Sequence, residues 1–459
     1  MSNPLGTTLR FLVAALAATF VATPIEAQAP QPFDRAVELA SFDTAWTRVR
    51  DSYYDASMRG LNWSALRDTL RPRVEHGRSR EDTRSAISTL VSRLGESHFG
   101  LIPADAMDAG STDKSDVAGD AGFEVRFVDS TLVVTRVDGG TPASAMGVHA
   151  GWLVEEIDTL RVIDVLRATA SVSAPTRRFA LVRLTLNING RLTGPSGEKL
   201  RLVFRDGKNA RRELLVPLRE TPGQVVEYGA LPPMHVRFDS RRLTSGVRGG
   251  SACVGVIRFN IFMTPVMPQF EDAMSGMRSC TGVILDLRGN VGGLGAMVMG
   301  ISGHYFAKAE TLGTMRLREA TMRYVANPVR VSRSGQPLQP FEGRVAIVVD
   351  ELSASTTEIL AAAMQVLGRA RVFGTPSAGQ ALPALMTRLP NGDRLMYVIG
   401  DFAGPGGSRV EGAGVVPDEP FPLSRRALLA GRDEALEAAV RWIESSGRST
   451  DSLKSAGRR

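Results

Sequence analysis

The chain has 459 residues, 43% of them hydrophobic, and a formal net charge of +7, too long for a single core and suited to two or three domains. Of 55 basic residues, only Lys114, Lys199, Lys208, Lys308 and Lys454 are lysines. The arginines are scattered, with no dense run interleaved with aromatics, and Cys pairs or His clusters at ligand spacing are absent, so neither a nucleic-acid surface, a metal centre nor a cofactor is expected.

Residues 1–27 read as a secretory signal, with Arg10 before the apolar stretch Phe11 to Ala22 and Ile25-Glu-Ala27 at the cleavage point. The apolar core is short for a span, and an uncleaved anchor is the alternative. No later stretch is long and apolar enough to cross a membrane. A secreted or periplasmic protein, not stably inserted after cleavage, is therefore expected.

A Pro/Gln-rich linker (Gln28 to Pro32) precedes helix-period apolar positions: Ala36, Leu39, Phe42, Trp46 and Val49, then Leu66, Leu70 and Val74, then Ile87, Leu90 and Leu94. Asp82 or Thr83 is expected to begin the third helix. Residues 28–110 are taken as a helical subdomain that ends in a Gly/Asp/Ser-rich break. From Ala121 the pattern turns to strands, with Gly139 to Val148 and Gly151 to Asp158 between them, and this β domain is bounded at 111–220.

The third unit, 221–446, alternates strands and helices: strands at 254–259, 282–287, 344–349 and 370–374, helices at 266–277, 294–306 and 356–367. An insertion fills 310–343. Short strands near 394–400 and 410–417, a helix over 424–445 and a polar, disordered tail at 447–459 complete the chain. Cys253 and Cys280 each precede a strand. If those strands are parallel neighbours the sulfurs enter at one edge and can pair, a disulfide suited to an oxidising compartment; two buried free thiols are the alternative.

Three stretches carry chemistry. Ser355 stands at the start of an Ala-rich helix after a buried strand, where unpaired first-turn N–H groups can hold a developing negative charge. The bland use of such a serine is a helix cap. GVILDLRGNVGG, Gly282 to Gly293, ends in glycines that let backbone approach a reacting carbonyl. It lacks the Gly-Lys-Ser/Thr of a phosphate loop. Leu94-Gly-Glu-Ser-His98-Phe-Gly leaves a helix with one of only five histidines, directly after Ser97. A nucleophilic serine needs a base near neutral pKa, and His is the usual choice.

DLRGNVGG, Ser353-Ala-Ser-Thr-Thr-Glu358, Leu367 to Gly374 and Glu411-Gly-Ala-Gly-Val-Val-Pro-Asp418 resemble the C-terminal-processing (tail-specific) and tricorn-like serine proteases, from about Phe42 to Pro422. The resemblance implies an α/β fold: a helical N-terminal subdomain, a PDZ-like β domain and a crotonase-like α/β catalytic core. It marks Ser355, not Ser353, as nucleophile. Tail-specific members pair that serine with a lysine, but Gln380 stands where the lysine would be, and glutamine cannot take a proton. The tricorn-like style fits better, with Ser97-His98 as the Ser-His pair and Glu411 as the late carboxylate.

The expected protein is a serine endopeptidase acting on proteins or peptides. His98 is base, Ser97 and Glu411 orient it, and N–H groups of Thr356 and of Gly292 or Gly293 form the oxyanion hole. A nearby carboxylate is expected to hold His98 near or modestly above about 6.5, with an acid limb between roughly pH 6 and 7.5. In the PDZ-like domain, Ala121-Gly122-Phe123 is the candidate carboxylate loop and an exposed strand edge the peptide site. The rival reading is a catalytically silent PDZ-bearing binder on the same fold; a third is a crotonase-like acyl transferase or hydrolase.

Overall fold

The computed structural model describes residues 33–105, 117–170, 174–244 and 253–445. The expected signal at 1–27, most of the 108–119 break and the polar tail lie outside the described residues. Among those described, no helix is long and apolar enough to cross a membrane.

Helices α1 (Arg35–Ser52), α2 (Trp63–Glu75) and α3 (Arg80–Ser92) form the N-terminal unit. Each begins where a polar side chain satisfies orphan N–H groups: Asp34 accepts from Ala36, Asn62 from Ala65 and Ser79 from Asp82. The third helix therefore starts at Arg80, and Asp82, expected at its start, instead closes a reciprocal cap with Ser79. Trp46 and Trp63 tie α1 to α2 by donating their indole N–H groups to each other's carbonyls, at 2.9 and 3.2 Å.

The apolar faces of these helices close against a hairpin from far along the chain, Ala384–Arg388 with Arg394–Val398. Phe42, Leu90 and Leu94 share one buried cluster with Leu389, Leu395 and Tyr397. Strand Gly100–Ile102 adds to the same hairpin in antiparallel register, Gly100 opposite Met396. That pairing carries the chain around His98 to the residues near 400.

The β domain is an antiparallel sheet in the order β1 (Phe123–Val128), β2 (Thr131–Val137), β3 (Leu153–Ile157), β4 (Lys199–Arg205), β5 (Arg211–Pro217). Between β3 and β4 run two helices that the strand pattern did not announce, Val162–Ala170 and Ala174–Gly190. The second lies beside the edge strand β1, where Asn189 bonds both the amide (3.2 Å) and the carbonyl (3.1 Å) of Val125.

The core sheet runs β6 (Phe238–Thr244), β7 (Cys253–Phe259), β8 (Gly282–Asp286), β9 (Arg344–Val349), β10 (Ala370–Gly374), β11 (Glu419–Pro420). All pairs but the first are parallel. Parallel strands buried on both faces read as unbroken apolar runs, which β8 and β9 do. Side chains alternate between the faces. Val283, Leu285, Val345 and Ile347 pack with helices α4 (Val266–Gly276), α5 (Met297–Ser302) and α6 (Thr356–Val366). Ile284, Ala346, Val348 and Phe373 pack under α7 (Glu434–Ser445).

Cys253 and Cys280 enter β7 and β8 at one edge and are bonded to each other. The 310–343 insertion contains a hairpin, Glu310–Leu317 with Thr321–Ala326, that pairs with strand Gly400–Ala403. Three expectations fail locally. Residues 410–417 form a turn and extended chain rather than a strand. The helix over 424–445 is two, Arg425–Leu429 and α7, separated where Gly431 takes φ +68°. The helix over 294–306 shrinks to α5.

Candidate active site

Ser355 follows β9 and caps α6, yet it does not behave as a cap. Its φ of 57° and ψ of −120° lie outside the extended region a capping residue adopts. For a non-glycine residue this backbone costs on the order of 1–3 kcal/mol and persists only where the surroundings enforce it. Here its amide is held twice, by the Gln380 carbonyl at 2.7 Å and the Glu358 carboxylate at 3.1 Å. The neighbouring Ser353 is the opposite case: wholly buried, its hydroxyl donates to the Leu287 carbonyl and accepts the Asp350 amide, both at 2.9 Å.

Glu358, which sequence reasoning left out of the site, is the second acceptor for the Ser355 amide. One turn into α6 and fully buried, it also accepts the Ser377 hydroxyl (2.5 Å) and the amides of Gly379 (2.7 Å) and Gln380 (2.8 Å). Burial raises its pKa, and those donors oppose the rise. The visible signal was an acid three residues after a helix-start serine, which reads as ordinary capping.

The glycine loop after β8 presses against Ser355. A Cβ on Gly292 would fall 2.6 Å from the Ser355 Cβ and 2.9 Å from the Thr356 nitrogen, and Gly292 has φ +94°. Asn290, wholly buried, shapes this loop. Its Oδ1 accepts the Gly292 amide and the Thr357 hydroxyl, each at 2.9 Å, and its Nδ2 donates to the Phe259 carbonyl. The Gly292 N–H is thus consumed, which removes it from the pair of expected oxyanion donors. The Gly293 carbonyl accepts the Thr356 hydroxyl at 2.8 Å. Thr356 opens α6, so its amide has no acceptor within the helix.

His98 sits on the loop between α3 and strand Gly100–Ile102 with φ 59°. Its Nδ1 lies 2.8 Å from the Ser97 hydroxyl. That hydroxyl donates to the Glu411 carboxylate at 3.0 Å, which also accepts the amides of Ser97 (3.2 Å) and Ala381 (2.8 Å). Ser97, His98 and Glu411 therefore meet, and Ala381 links them through its neighbour Gln380 to Ser355. Because the single hydroxyl proton of Ser97 goes to Glu411, Nδ1 is the donor of its pair, and Nε2 is left with a free lone pair.

Glu411 does not touch the imidazole; Ser97 stands between them. The expected upward pull on His98 is absent as a result. His98 is half-buried as a residue, and the protein around its ring desolvates the charged form and lowers its pKa to about 4. Burial raises the Glu411 pKa, with its hydrogen bonds acting the other way.

In the β domain, the expected carboxylate loop has few free donors. The Ala121 amide is taken by the Leu192 carbonyl and the Gly122 amide by Asp120, at 2.9 and 2.8 Å. Arg126 of β1 reaches across to Asp350, 3.0 Å away, in the turn that leads to Ser355.

Residues 253–421 match the model of peptidase family S41, and residues 39–91 match the tricorn protease C1 domain. Carboxyl-terminal-processing peptidase 2 of Arabidopsis thaliana chloroplasts is 24% identical over 397 residues, covering 83% of this chain and 68% of the relative. A carboxyl-terminal-processing protease of Picosynechococcus is 24% identical over 387 residues, covering 82% of each. Among solved structures, the photosystem II D1 C-terminal processing protease superposes with a TM-score of 0.55 at 20% identity, covering 87% of this chain and 98% of that one. That likeness establishes the fold.

Proposed function

We propose that this chain, whose residues 253–421 match peptidase family S41 and whose relatives are carboxyl-terminal-processing peptidases, cleaves peptide bonds by a Ser/His/Glu mechanism in the tricorn-like style. The observation that carries this is the bonded series Glu411, Ser97, His98, together with an amide side chain, Gln380, where a lysine base would be needed.

In the first step the Ser355 Oγ attacks the carbonyl carbon and its proton passes to His98 Nε2. The carbonyl oxygen becomes an oxyanion, held by the amides of Thr356 and Gly293, each worth on the order of 3 kcal/mol of barrier. The C–N bond then breaks as His98 gives its proton to the leaving amine. Water hydrolyses the acyl ester by the same exchange in reverse. Ser97 and Glu411 keep the imidazole in the tautomer that leaves Nε2 basic. Glu358 and Asn290 hold the nucleophile and the oxyanion loop.

Substrates are proteins or peptides, with cleavage near carboxyl termini suggested by the relatives' names. The β domain acts as a PDZ-like unit that takes extended chains along β1. Asn189 occupies the outward bonding groups of Val125, so a peptide pairing there has to displace it. A secreted or periplasmic site of action is supported by the apolar leader in the sequence and by the Cys253–Cys280 disulfide. Cleavage of a fluorogenic peptide by the purified chain, abolished in Ser355→Ala, tests the reading.

A further inference from the structure

Glu96 immediately precedes the Ser97-His98 pair, and the mechanism above gives it no role. Its side chain is only 2% exposed. One oxygen accepts the Tyr53 hydroxyl at 2.5 Å; the other accepts the Tyr54 hydroxyl at 2.7 Å, with Arg59 at 3.0 Å and Arg409 at 3.5 Å. Those partners come from two places. Tyr53, Tyr54 and Arg59 follow the C-terminal end of α1, whereas Arg409 lies two residues before Glu411. Arg409 is itself fixed by Asp401 at 3.4 Å.

We propose that Glu96 is a positioning residue, a latch that sets the register of the His98 loop against the Glu411 loop and so aims the imidazole. The inference rests on the Ser/His/Glu reading. Glu96 pairs with Arg409 two residues upstream of Glu411, while Ser97 pairs with Glu411 itself. Two successive residues of one loop thus grip two sites of the other.

The loop needs that grip. Gly95 has φ +65° and His98 has φ +59°, so two left-handed residues flank Glu96-Ser97. For His98 this is a backbone that costs energy unless its surroundings over-determine it. A buried carboxylate with four donors supplies such a constraint. The donors also persist across the working range: burial, then the bond to Glu96, pushes Tyr54 up to about 12 and Tyr53 higher still. Glu96 never approaches the reacting atoms in this scheme; it acts through the two residues that follow it. The tricorn-C1-like helical unit thereby has a task in catalysis, because the end of α1 delivers three of the four donors.

The test compares steady-state kinetics of the full chain with those of Glu96→Gln and the double variant Tyr53→Phe/Tyr54→Phe, with His98→Ala alongside. A 1 Å displacement of a catalytic group costs about 10²-fold. Both latch variants are therefore expected to lose roughly 10- to 100-fold in kcat with KM within about twofold of wild type, while circular dichroism and Tm show a folded protein. A general structural defect would move Tm and KM together. If Glu96→Gln does not fold, the tyrosine pair decides by the same criteria. A folded variant with wild-type kcat, or one whose loss lies wholly in KM, overturns the latch while the Ser/His/Glu reading stands. Full turnover in His98→Ala overturns both.

Discussion

Ser97 and Glu411 are 314 residues apart in the chain, yet the Glu411 carboxylate accepts both the amide and the hydroxyl of Ser97. This double contact fixes the direction of every proton in the series. The carboxylate takes the hydroxyl proton, the hydroxyl oxygen faces His98 Nδ1, and Nε2 is left to act as base. Glu411→Gln puts an amide where the acceptor stood and lets the series reverse. Its kcat is expected to fall by two to four powers of ten, as when the orienting acid of a catalytic triad is neutralised. Ser97→Ala, which leaves a gap between carboxylate and ring, should fall comparably. Unchanged kcat in both variants would remove Glu411 and Ser97 from the mechanism.

The low pKa of His98 shifts the pH profile. The proposed base, His98, must be neutral to act, and burial lowers its pKa to about 4. kcat/KM should stay flat from pH 8 down to about 5.5 and decline only as pH approaches the folded-state value. A midpoint between 6 and 7.5 would mean that the ring is solvated or faces a charge in the working enzyme.

Gly292 leaves no room for a Cβ beside Ser355, the proposed nucleophile. Adding one methyl at φ +94° and 2.6 Å from the Ser355 Cβ forces the oxyanion loop away from the nucleophile and the Thr356 amide. Gly292→Ala is expected to lower kcat by 10²- to 10³-fold, the cost of a lost oxyanion donor, measured on protein whose circular dichroism is unaltered. Near-normal turnover would show that the loop lies elsewhere during catalysis.

The alternating core was legible because β7 to β10 are short apolar runs bounded by glycine or polar turns, the pattern of parallel strands buried on both faces. Ser355, His98 and the Gly292-Gly293 pair stood out because each follows a regular element at a position where a turn leaves groups unpaired. What sequence could not show was tertiary. The Asn290 contact to the Gly292 amide decides between two adjacent glycines, and nothing in their order does so. The sign of the His98 shift was misjudged because a carboxylate in the same network was assumed to touch the ring. The helix Ala174–Gly190 went unseen because its sequence has no strong apolar stripe, and α7 was merged with its neighbour because Gly431 lies inside a helix-like pattern.

His304 offers a test of burial away from the site. It is 2% exposed, packs edge-on against Phe270 at 5.5 Å, and neither ring nitrogen has a hydrogen-bond partner among the described residues. Burial, aided by the Arg278 charge, lowers its pKa to about 4. The unfolded chain binds this proton more readily, so the stability contributed by the neutral ring is complete above about pH 6.5 and is lost as pH falls toward 4. In His304→Leu, Tm should drop less between pH 6.5 and 4.5 than in wild type. An identical drop would mean that the ring already finds a partner for its proton.

The most direct measurement is the rate at which a fluorophosphonate probe labels Ser355 in wild type, Ser355→Ala, His98→Ala and Gln380→Ala. Labelling needs a serine activated by its base. Wild type and Gln380→Ala should label at similar rates, His98→Ala slower by several powers of ten, and Ser355→Ala not at all. Rapid labelling of His98→Ala, with loss in Gln380→Ala, would contradict the account and move the base to the loop that carries Gln380.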